Sequence, residues 1–169
     1  MVDARHPKTL TEQPPGSHAV NLKLNGQRVE ERIEPRTTLL DFIRDHGFTG
    51  THASCEHGVC GACTVLLDGQ PVRACLTLVV QTNGRSVETV ESLGDASAPD
   101  PLQRAFSEER GLQCGFCTPG FLMLARGLLN ERPDATREEI RQAMSSNLCR
   151  CTGYAGIVRA VEKVVDAQC

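Results

Sequence analysis

The sequence predicts an α+β protein, in which a small mixed β-sheet packed on one helix precedes a four-helix bundle. Three observations lead to this prediction. Before about residue 92, short runs alternate between apolar and polar residues around Asn-Gly and Asp-Gly turns. After about residue 95, apolar residues recur at helical spacing only. Between the two parts, Gly, Ser, Ala and Pro accumulate, which indicates a linker.

The first part contains two predicted hairpins and one further strand. Asn25-Gly26 is a strong signal for a tight turn between two strands, and Asp68-Gly69 is a similar signal in the second hairpin. The predicted strands cover residues 19–24, 27–33, 64–67, 70–74 and 86–90.

One helix is predicted between the two hairpins. Thr37 or Thr38 can cap its start, and Gly47 ends it. Its apolar face consists of Leu39, Leu40, Phe42 and Ile43. The order hairpin, helix, hairpin and strand matches the β-grasp arrangement.

Four helices are predicted in the second part. Asp100-Pro101 is typical of an N-cap followed by the first helical residue, and Thr118-Pro119 opens a second helix that ends before Pro133. A capping box at residues 136–139 starts the third. The apolar face of the fourth consists of Ile157, Val158, Val161, Val164 and Val165.

The domain organisation follows from these elements. Residues 1–18 are polar and rich in proline, so we expect them to form a disordered extension. A sheet domain is expected at 19–92 and a helical domain at 98–167.

Composition and charge restrict the partners and the compartment. A net charge of −3 and a pI near 5.9 argue against a nucleic-acid partner. No apolar run approaches the roughly 20 residues that span a bilayer. The first 18 residues contain neither the apolar core of a secretory signal nor a twin-arginine pair, so we expect a cytoplasmic protein. In a reducing cytoplasm, nine cysteines indicate metal or redox chemistry rather than disulfides.

The first set of cysteines is Cys55-x4-Cys60-x2-Cys63-x11-Cys75. This is the spacing of plant-type ferredoxins, in which one loop supplies three ligands of a [2Fe–2S] cluster and another segment supplies the fourth. Glycines in this loop would let backbone N–H groups approach the sulfurs. Zinc remains an alternative, although zinc sites more usually show two Cys-x2-Cys pairs.

The second set is Cys114-x2-Cys117-x31-Cys149-x-Cys151. Each pair falls at a predicted junction of two helices, so a bundle that brings the junctions together creates a four-thiolate site. Zinc is a stronger alternative here, but a second [2Fe–2S] cluster is favoured beside a ferredoxin-type set in the same chain. Cys169, the last residue, has no partner in either set and no assigned role.

No catalytic pattern accompanies the cysteines. The sequence contains no recognisable Ser/His/Asp set, paired carboxylates, phosphate-binding glycine loop or nucleotide-binding motif. We therefore expect no substrate chemistry from this chain itself. Besides a subunit that relays electrons, the residues leave open a free-standing ferredoxin-like carrier and a zinc-stabilised interaction module.

Three motifs together carry a family resemblance. They are CEHGVCGACTV at residues 55–65, QCGFCTPG at 113–120 and NLCRCTGY at 147–154. In this order, over residues 19–165, the chain resembles the iron–sulfur part of the xanthine oxidase family of molybdenum hydroxylases. Because no flavin or molybdenum domain follows, it resembles the separate small subunit of three-subunit bacterial members such as carbon monoxide dehydrogenase and quinoline oxidoreductase.

The resemblance implies partners and further cofactors. They are a large molybdenum-binding subunit and a medium FAD-binding subunit, expected as a dimer of heterotrimers. The molybdenum–pterin is expected in its cytosine dinucleotide form.

The resemblance also implies an order of the centres. The cluster on the Cys55 set would lie toward FAD, and the cluster on the Cys114 set would lie near the pterin, which Gln113 and Cys151 would contact. Substrate would be oxidised at molybdenum, and electrons would pass through both clusters to FAD. The substrate itself is not predicted.

Overall fold

The computed structural model describes residues 16–167. The extension predicted at residues 1–18 therefore lies outside the described residues as far as residue 15. The polypeptide is already in the first strand at His18.

Five strands form one mixed sheet. They are β1 (His18–Leu24), β2 (Gln27–Ile33), β3 (Thr64–Leu67), β4 (Gln70–Arg73) and β5 (Ser86–Glu88). The order across the sheet is β2-β1-β5-β3-β4, with β1 and β5 parallel and every other neighbouring pair antiparallel. All five predicted strands are present, and the late strand β5 lies between the two hairpins.

Two predicted strands end earlier than expected. Strand β4 ends at Arg73, because residues Ala74–Leu76 form a 3₁₀ turn. Strand β5 ends at Glu88 and is followed by a 3₁₀ turn at Val90–Ser92. The first of these turns buries Cys75.

The first helix, α1 (Leu39–Asp45), packs its apolar side on the sheet. Its N-cap is Thr38, whose hydroxyl accepts a hydrogen bond from the backbone N–H of Asp41 at 3.1 Å. The four predicted apolar residues are all buried: Leu39, Leu40, Phe42 and Ile43.

Four further α-helices follow, at α2 (Pro101–Glu108), α3 (Thr118–Glu131), α4 (Arg137–Met144) and α5 (Ala155–Asp166). Asp100 and Thr136 form complete capping boxes at α2 and α4. One apolar core joins the four helices, with Phe106, Phe121, Ile140 and Val161 among its buried residues. None of the helices within residues 16–167 has the length and apolar character to cross a bilayer.

Helix α3 packs directly against the sheet. Gly127 faces Leu66 of β3 and Pro71 of β4, where a Cβ would lie 2.8 Å from the proline ring. All four residues of β3 are buried: Val65 and Leu67 join the core with α1, and Leu66 lies toward α3. The sheet and the helical part therefore share an interface, which brings the two cysteine-bearing regions together.

Candidate functional site

The structure brings the first four predicted ligands to one place. Cys55, Cys60 and Cys63 lie on the loop between α1 and β3, and Cys75 enters from the 3₁₀ turn after β4. Cys63 and Cys75 are buried, whereas Cys55 and Cys60 are half-buried. The site thus has a protected inner side and a side near solvent.

Backbone N–H groups point at the sulfurs of this loop. The N–H of Cys60 donates to Cys55 Sγ at 3.4 Å, and that of Ala62 donates to Cys60 Sγ at 3.5 Å. Gly58 and Gly61 have φ values of +85° and +74°, which glycine adopts most readily. The N–H of Cys60, followed by that of His57, lowers the pKa of Cys55 to about 6. The loop therefore favours the thiolate form that binds metals.

One buried and one half-buried thiol resist ionisation unless a cation offsets their charge. Burial, followed by the neighbouring Cys63 thiol, raises the pKa of Cys75 to about 11. In the second set, burial, followed by Cys149, raises the pKa of Cys117 to about 12. A coordinating cation deprotonates a thiol outright, so a bound metal would offset the cost that burial and neighbouring thiols place on these thiolates.

The second set forms where two helix junctions meet. Cys114 and Cys117 lie between α2 and α3, and Cys149 and Cys151 lie between α4 and α5. The sulfurs of Cys114 and Cys151 are 3.7 Å apart. Two thiolates on one tetrahedral metal, at metal–sulfur distances of about 2.3 Å, lie about 3.8 Å apart. The observed separation fits two ligands of one metal atom.

Both sets consist of two close thiol pairs. Among residues 16–167, no group of three or more His, Cys, Asp or Glu side chains is arranged around a single metal ion. The thiols that interact most strongly are Cys55 with Cys60, Cys63 with Cys75, Cys114 with Cys151, and Cys117 with Cys149. Weaker electrostatic interactions also link Cys75 to Cys55, Cys117 to Cys114 and Cys151 to Cys149. Two pairs per set provide two thiolates for each iron of a [2Fe–2S] cluster held by four cysteines.

Polar groups around the second set hold its cysteines in place. The Thr152 hydroxyl donates to Cys149 Sγ at 3.1 Å, and the backbone N–H of Cys149 donates to the Tyr154 hydroxyl at 3.0 Å. Gln113 Nε2 donates to the carbonyl of Cys151 at 3.0 Å. Gln113 and Cys151, predicted together as a cofactor contact, thus lie side by side on an exposed surface.

Hydrogen bonds also join the two sets, a feature that the sequence did not reveal. The N–H of Leu148 donates to the carbonyl of Cys60 at 2.9 Å, so a cysteine of the first set is hydrogen-bonded to the residue that precedes Cys149. His52, on the loop between α1 and β3, stacks on Phe116 with ring centroids 4.8 Å apart. For Phe116 and Leu148, position within the cysteine motifs was the only available signal.

Both halves of the chain match known iron–sulfur domains. Residues 22–85 match the 2Fe-2S iron-sulfur cluster binding domain, and residues 89–162 match the [2Fe-2S] binding domain. The nicotine 6-hydroxylase small subunit of Paenarthrobacter nicotinovorans is 52% identical over 152 residues, covering 89% of this chain and 92% of the relative. The caffeine dehydrogenase subunit gamma of Pseudomonas sp. (strain CBB1) is 50% identical over 152 residues, with coverage of 88% and 91%.

Solved structures agree with these matches. Quinoline 2-oxidoreductase from Pseudomonas putida 86 contains a chain with a TM-score of 0.84 and 46% identity, covering 90% of this chain and 96% of the other. The chain belongs to the xanthine oxidase family of molybdenum hydroxylases. Aldehyde oxidoreductase from Desulfovibrio gigas, with a TM-score of 0.86 and 38% identity, aligns over 89% of this chain but 17% of its own.

Within the xanthine oxidase family, this chain is an electron-transfer iron–sulfur subunit of an oxidoreductase.

One prediction concerns the contact between α3 and the first cysteine loop. A Cβ on Gly120 would lie 2.3 Å from the carbonyl oxygen of Gly61, between Cys60 and Cys63. We expect Gly120→Ala to lower the free energy of unfolding by about 1–3 kcal/mol, because the loop must move to relieve the overlap. The visible spectrum of the purified subunit should change as well.

Gly84→Ala is a suitable control. The Gly84 Cβ would meet no atom within 4 Å, but the backbone φ of +79° is unfavourable for alanine. This variant should lose stability with an unchanged visible spectrum. An unchanged spectrum for Gly120→Ala, measured beside it, would contradict the prediction.

Proposed function

We propose that this chain relays electrons from a molybdenum–pterin site through two [2Fe–2S] clusters to FAD. One observation carries the proposal: each of two four-cysteine sets consists of two close thiol pairs, as a two-iron cluster requires. The proposed ligands of the first cluster are Cys55, Cys60, Cys63 and Cys75. Those of the second are Cys114, Cys117, Cys149 and Cys151.

The architecture supports one cluster in each domain. Hairpin, helix, hairpin and an inserted strand support a β-grasp, plant-type ferredoxin domain at residues 19–92. Helices α2 to α5 support a four-helix bundle at 98–167. The matched ranges, 22–85 and 89–162, fall within or close to these bounds.

The protein's own groups would control the charge of each centre. When bound, each cluster accepts and releases one electron. N–H donors to Cys55 and Cys60 and the Thr152 hydroxyl on Cys149 stabilise negative charge on the sulfurs. Hydrogen bonds to cluster sulfurs are among the factors that set a reduction potential.

The surface near the second set suits contact with the molybdenum-binding subunit. Cys114 and Cys151 are exposed, and Gln113 lies beside Cys151. Phe116 and Leu148, each beside cysteines of this set, are 47% and 52% exposed, and exposed apolar patches are typical of protein–protein contacts. We infer that the partner's pterin approaches Gln113 and Cys151 and that these apolar residues are covered in the complex.

The surface near the first set suits a second partner. Val59, on the cysteine loop, is 57% exposed, and Leu76, next to Cys75, is 61% exposed. Leu76 lies over Gly58, where a Cβ would come within 2.3 Å of its Cδ1. This apolar surface is the proposed contact with an FAD-binding subunit, which places the first cluster on the acceptor side.

The proposed assembly is a dimer of heterotrimers in the cytoplasm. Each heterotrimer would combine this chain with a large subunit that binds molybdenum–pterin cytosine dinucleotide and a medium subunit that binds FAD. The substrate would bind the large subunit, so turnover requires the whole complex.

Metal analysis tests the proposal. We expect about four irons and four acid-labile sulfides per chain, which is the content of two [2Fe–2S] clusters. Cys117→Ser should lose about half of both, because it removes one proposed ligand of the half-buried Cys117–Cys149 pair in the second set. Stoichiometric zinc without sulfide would contradict the proposal.

The ninth cysteine provides a matched control. Cys169 belongs to neither set, so Cys169→Ser should retain the full iron and sulfide content. Equal losses in Cys169→Ser and Cys117→Ser would show that the proposed ligand assignment is wrong.

A further inference from the structure

Residues 146–148, the bridging segment, contact the first domain at three consecutive positions. Arg73 Nη2 donates to the carbonyl of Ser146 at 2.7 Å, and the N–H of Leu148 donates to the carbonyl of Cys60 at 2.9 Å. Between them, Asn147 Nδ2 donates to the carbonyl of Gly61 at 3.2 Å. The segment immediately precedes Cys149 and thus joins the two cysteine sets.

Asn147 is the buried centre of this contact. Its exposed fraction is 1%, although the residue is polar. Its amide packs directly on the backbone of Gly61, where a Cβ would lie 2.0 Å from Asn147 Oδ1. Only glycine at position 61 leaves room for the amide. The position of Asn147 therefore depends on the conformation of the first cysteine loop, and that loop in turn depends on Asn147.

Folding alone does not explain an amide at this position. Asn147 Oδ1 has no hydrogen-bond partner among the described residues, and an unpaired buried acceptor lowers stability. Leucine has the same branched arrangement of side-chain heavy atoms, with bulkier methyl groups, and would remove this unpaired group. The distinguishing property of asparagine here is the directional hydrogen bond to Gly61.

The opposite side of Asn147 is fixed to the second set. The Tyr154 hydroxyl donates to the carbonyl of Asn147 at 3.1 Å and accepts from the N–H of Cys149 at 3.0 Å. The Tyr154 ring packs edge-on against Phe121 in the helical core. A continuous series of contacts therefore runs from Gly61 through Asn147 and Tyr154 to Cys149.

We propose that Asn147 is a positioning residue that sets the separation and relative orientation of the two clusters. The inference rests on the proposed function, since it requires both clusters to be present. The rate of electron transfer between two centres and their magnetic interaction both fall steeply with separation. A residue that holds Gly61 against the Cys149 segment controls both quantities without contacting either cluster.

Electron paramagnetic resonance of the reduced complex tests this role. In Asn147→Leu we expect the signals of both clusters to change and the spin–spin interaction between them to weaken, with iron content retained. Thr82→Val is the matched control. It removes a buried hydroxyl that donates to the carbonyl of Val79 at 2.8 Å, outside both cysteine loops. The control should lose stability with both signals and their interaction unchanged.

Tyr154→Phe provides a second test that does not depend on how well Asn147→Leu folds. It keeps the aromatic ring in the core but removes the hydroxyl between Asn147 and Cys149. We expect the same weakening of the spin–spin interaction, smaller in size, because the bond from Asn147 to Gly61 remains.

The outcomes separate this inference from the proposed function. A wild-type complex without two iron–sulfur signals would overturn the proposed function itself. If the wild type shows both signals, two results overturn only the role of Asn147: an unchanged interaction in Asn147→Leu, or a change confined to the second cluster.

Discussion

Substrate turnover by the assembled enzyme is expected to fall more than about 100-fold in Cys149→Ser. Mutating a residue that only supports a metal ligand typically costs about 10- to 100-fold, so the loss of a ligand should exceed that range. Burial opposes ionisation of the Cys149 thiol, but the Thr152 hydroxyl and backbone N–H groups outweigh it and lower its pKa. Serine cannot provide the thiolate of the Cys117–Cys149 pair. If this cluster is the first acceptor after molybdenum, its loss interrupts the path at the first step.

Anaerobic stopped-flow mixing with substrate measures this effect. Molybdenum should still be reduced once, whereas flavin reduction should be almost abolished. Thr152→Val is the control, because it removes the hydroxyl that donates to Cys149 Sγ but keeps the proposed cysteine ligand. It should retain the cluster and turn over faster than Cys149→Ser. Near-normal turnover in Cys149→Ser, with the second cluster shown to be absent, would contradict the proposed path.

The second large effect is expected at the other end of the path. Cys60→Ser should leave molybdenum reducible by substrate and let the second cluster, on the Cys114 set, take up an electron. Flavin reduction should slow by more than about 100-fold, which again exceeds the loss expected from mutating a residue that only supports a metal ligand. The reason is that Cys60 belongs to the set beside the proposed FAD contact. Electron paramagnetic resonance spectra of samples frozen rapidly after mixing with substrate would show a reduced second cluster beside oxidised flavin.

Magnetic coupling distinguishes the two ends of the path. In partly reduced enzyme, the Mo(V) signal should be split by the cluster on the Cys114 set. The splitting should persist in Cys60→Ser and disappear in Cys149→Ser. The opposite pattern would mean that the order of the two clusters is reversed.

Local patterns in the sequence were sufficient for most elements of the fold. Strands β2 and β3 have the predicted bounds, because the Asn-Gly turn fixes the start of β2 and the Asp-Gly turn fixes the end of β3. The starts of α2 and α4 were predictable from the capping residues Asp100 and Thr136. The ends of β4 and β5 could not be predicted, because each strand is followed by a 3₁₀ turn that has no distinct local sequence pattern.

The eight candidate ligands could likewise be named from spacing alone, because thiolates at these intervals have few other uses in a reducing compartment. Which thiols form pairs depends on how separate segments meet: Cys114 lies beside Cys151, 37 positions away, through the junctions of four helices. The contact of Asn147 with Gly61 spans 86 positions and requires α3 to lie against the sheet. Sequence periodicity records which face of an element is apolar, but contacts between distant segments arise from packing, which has no local pattern.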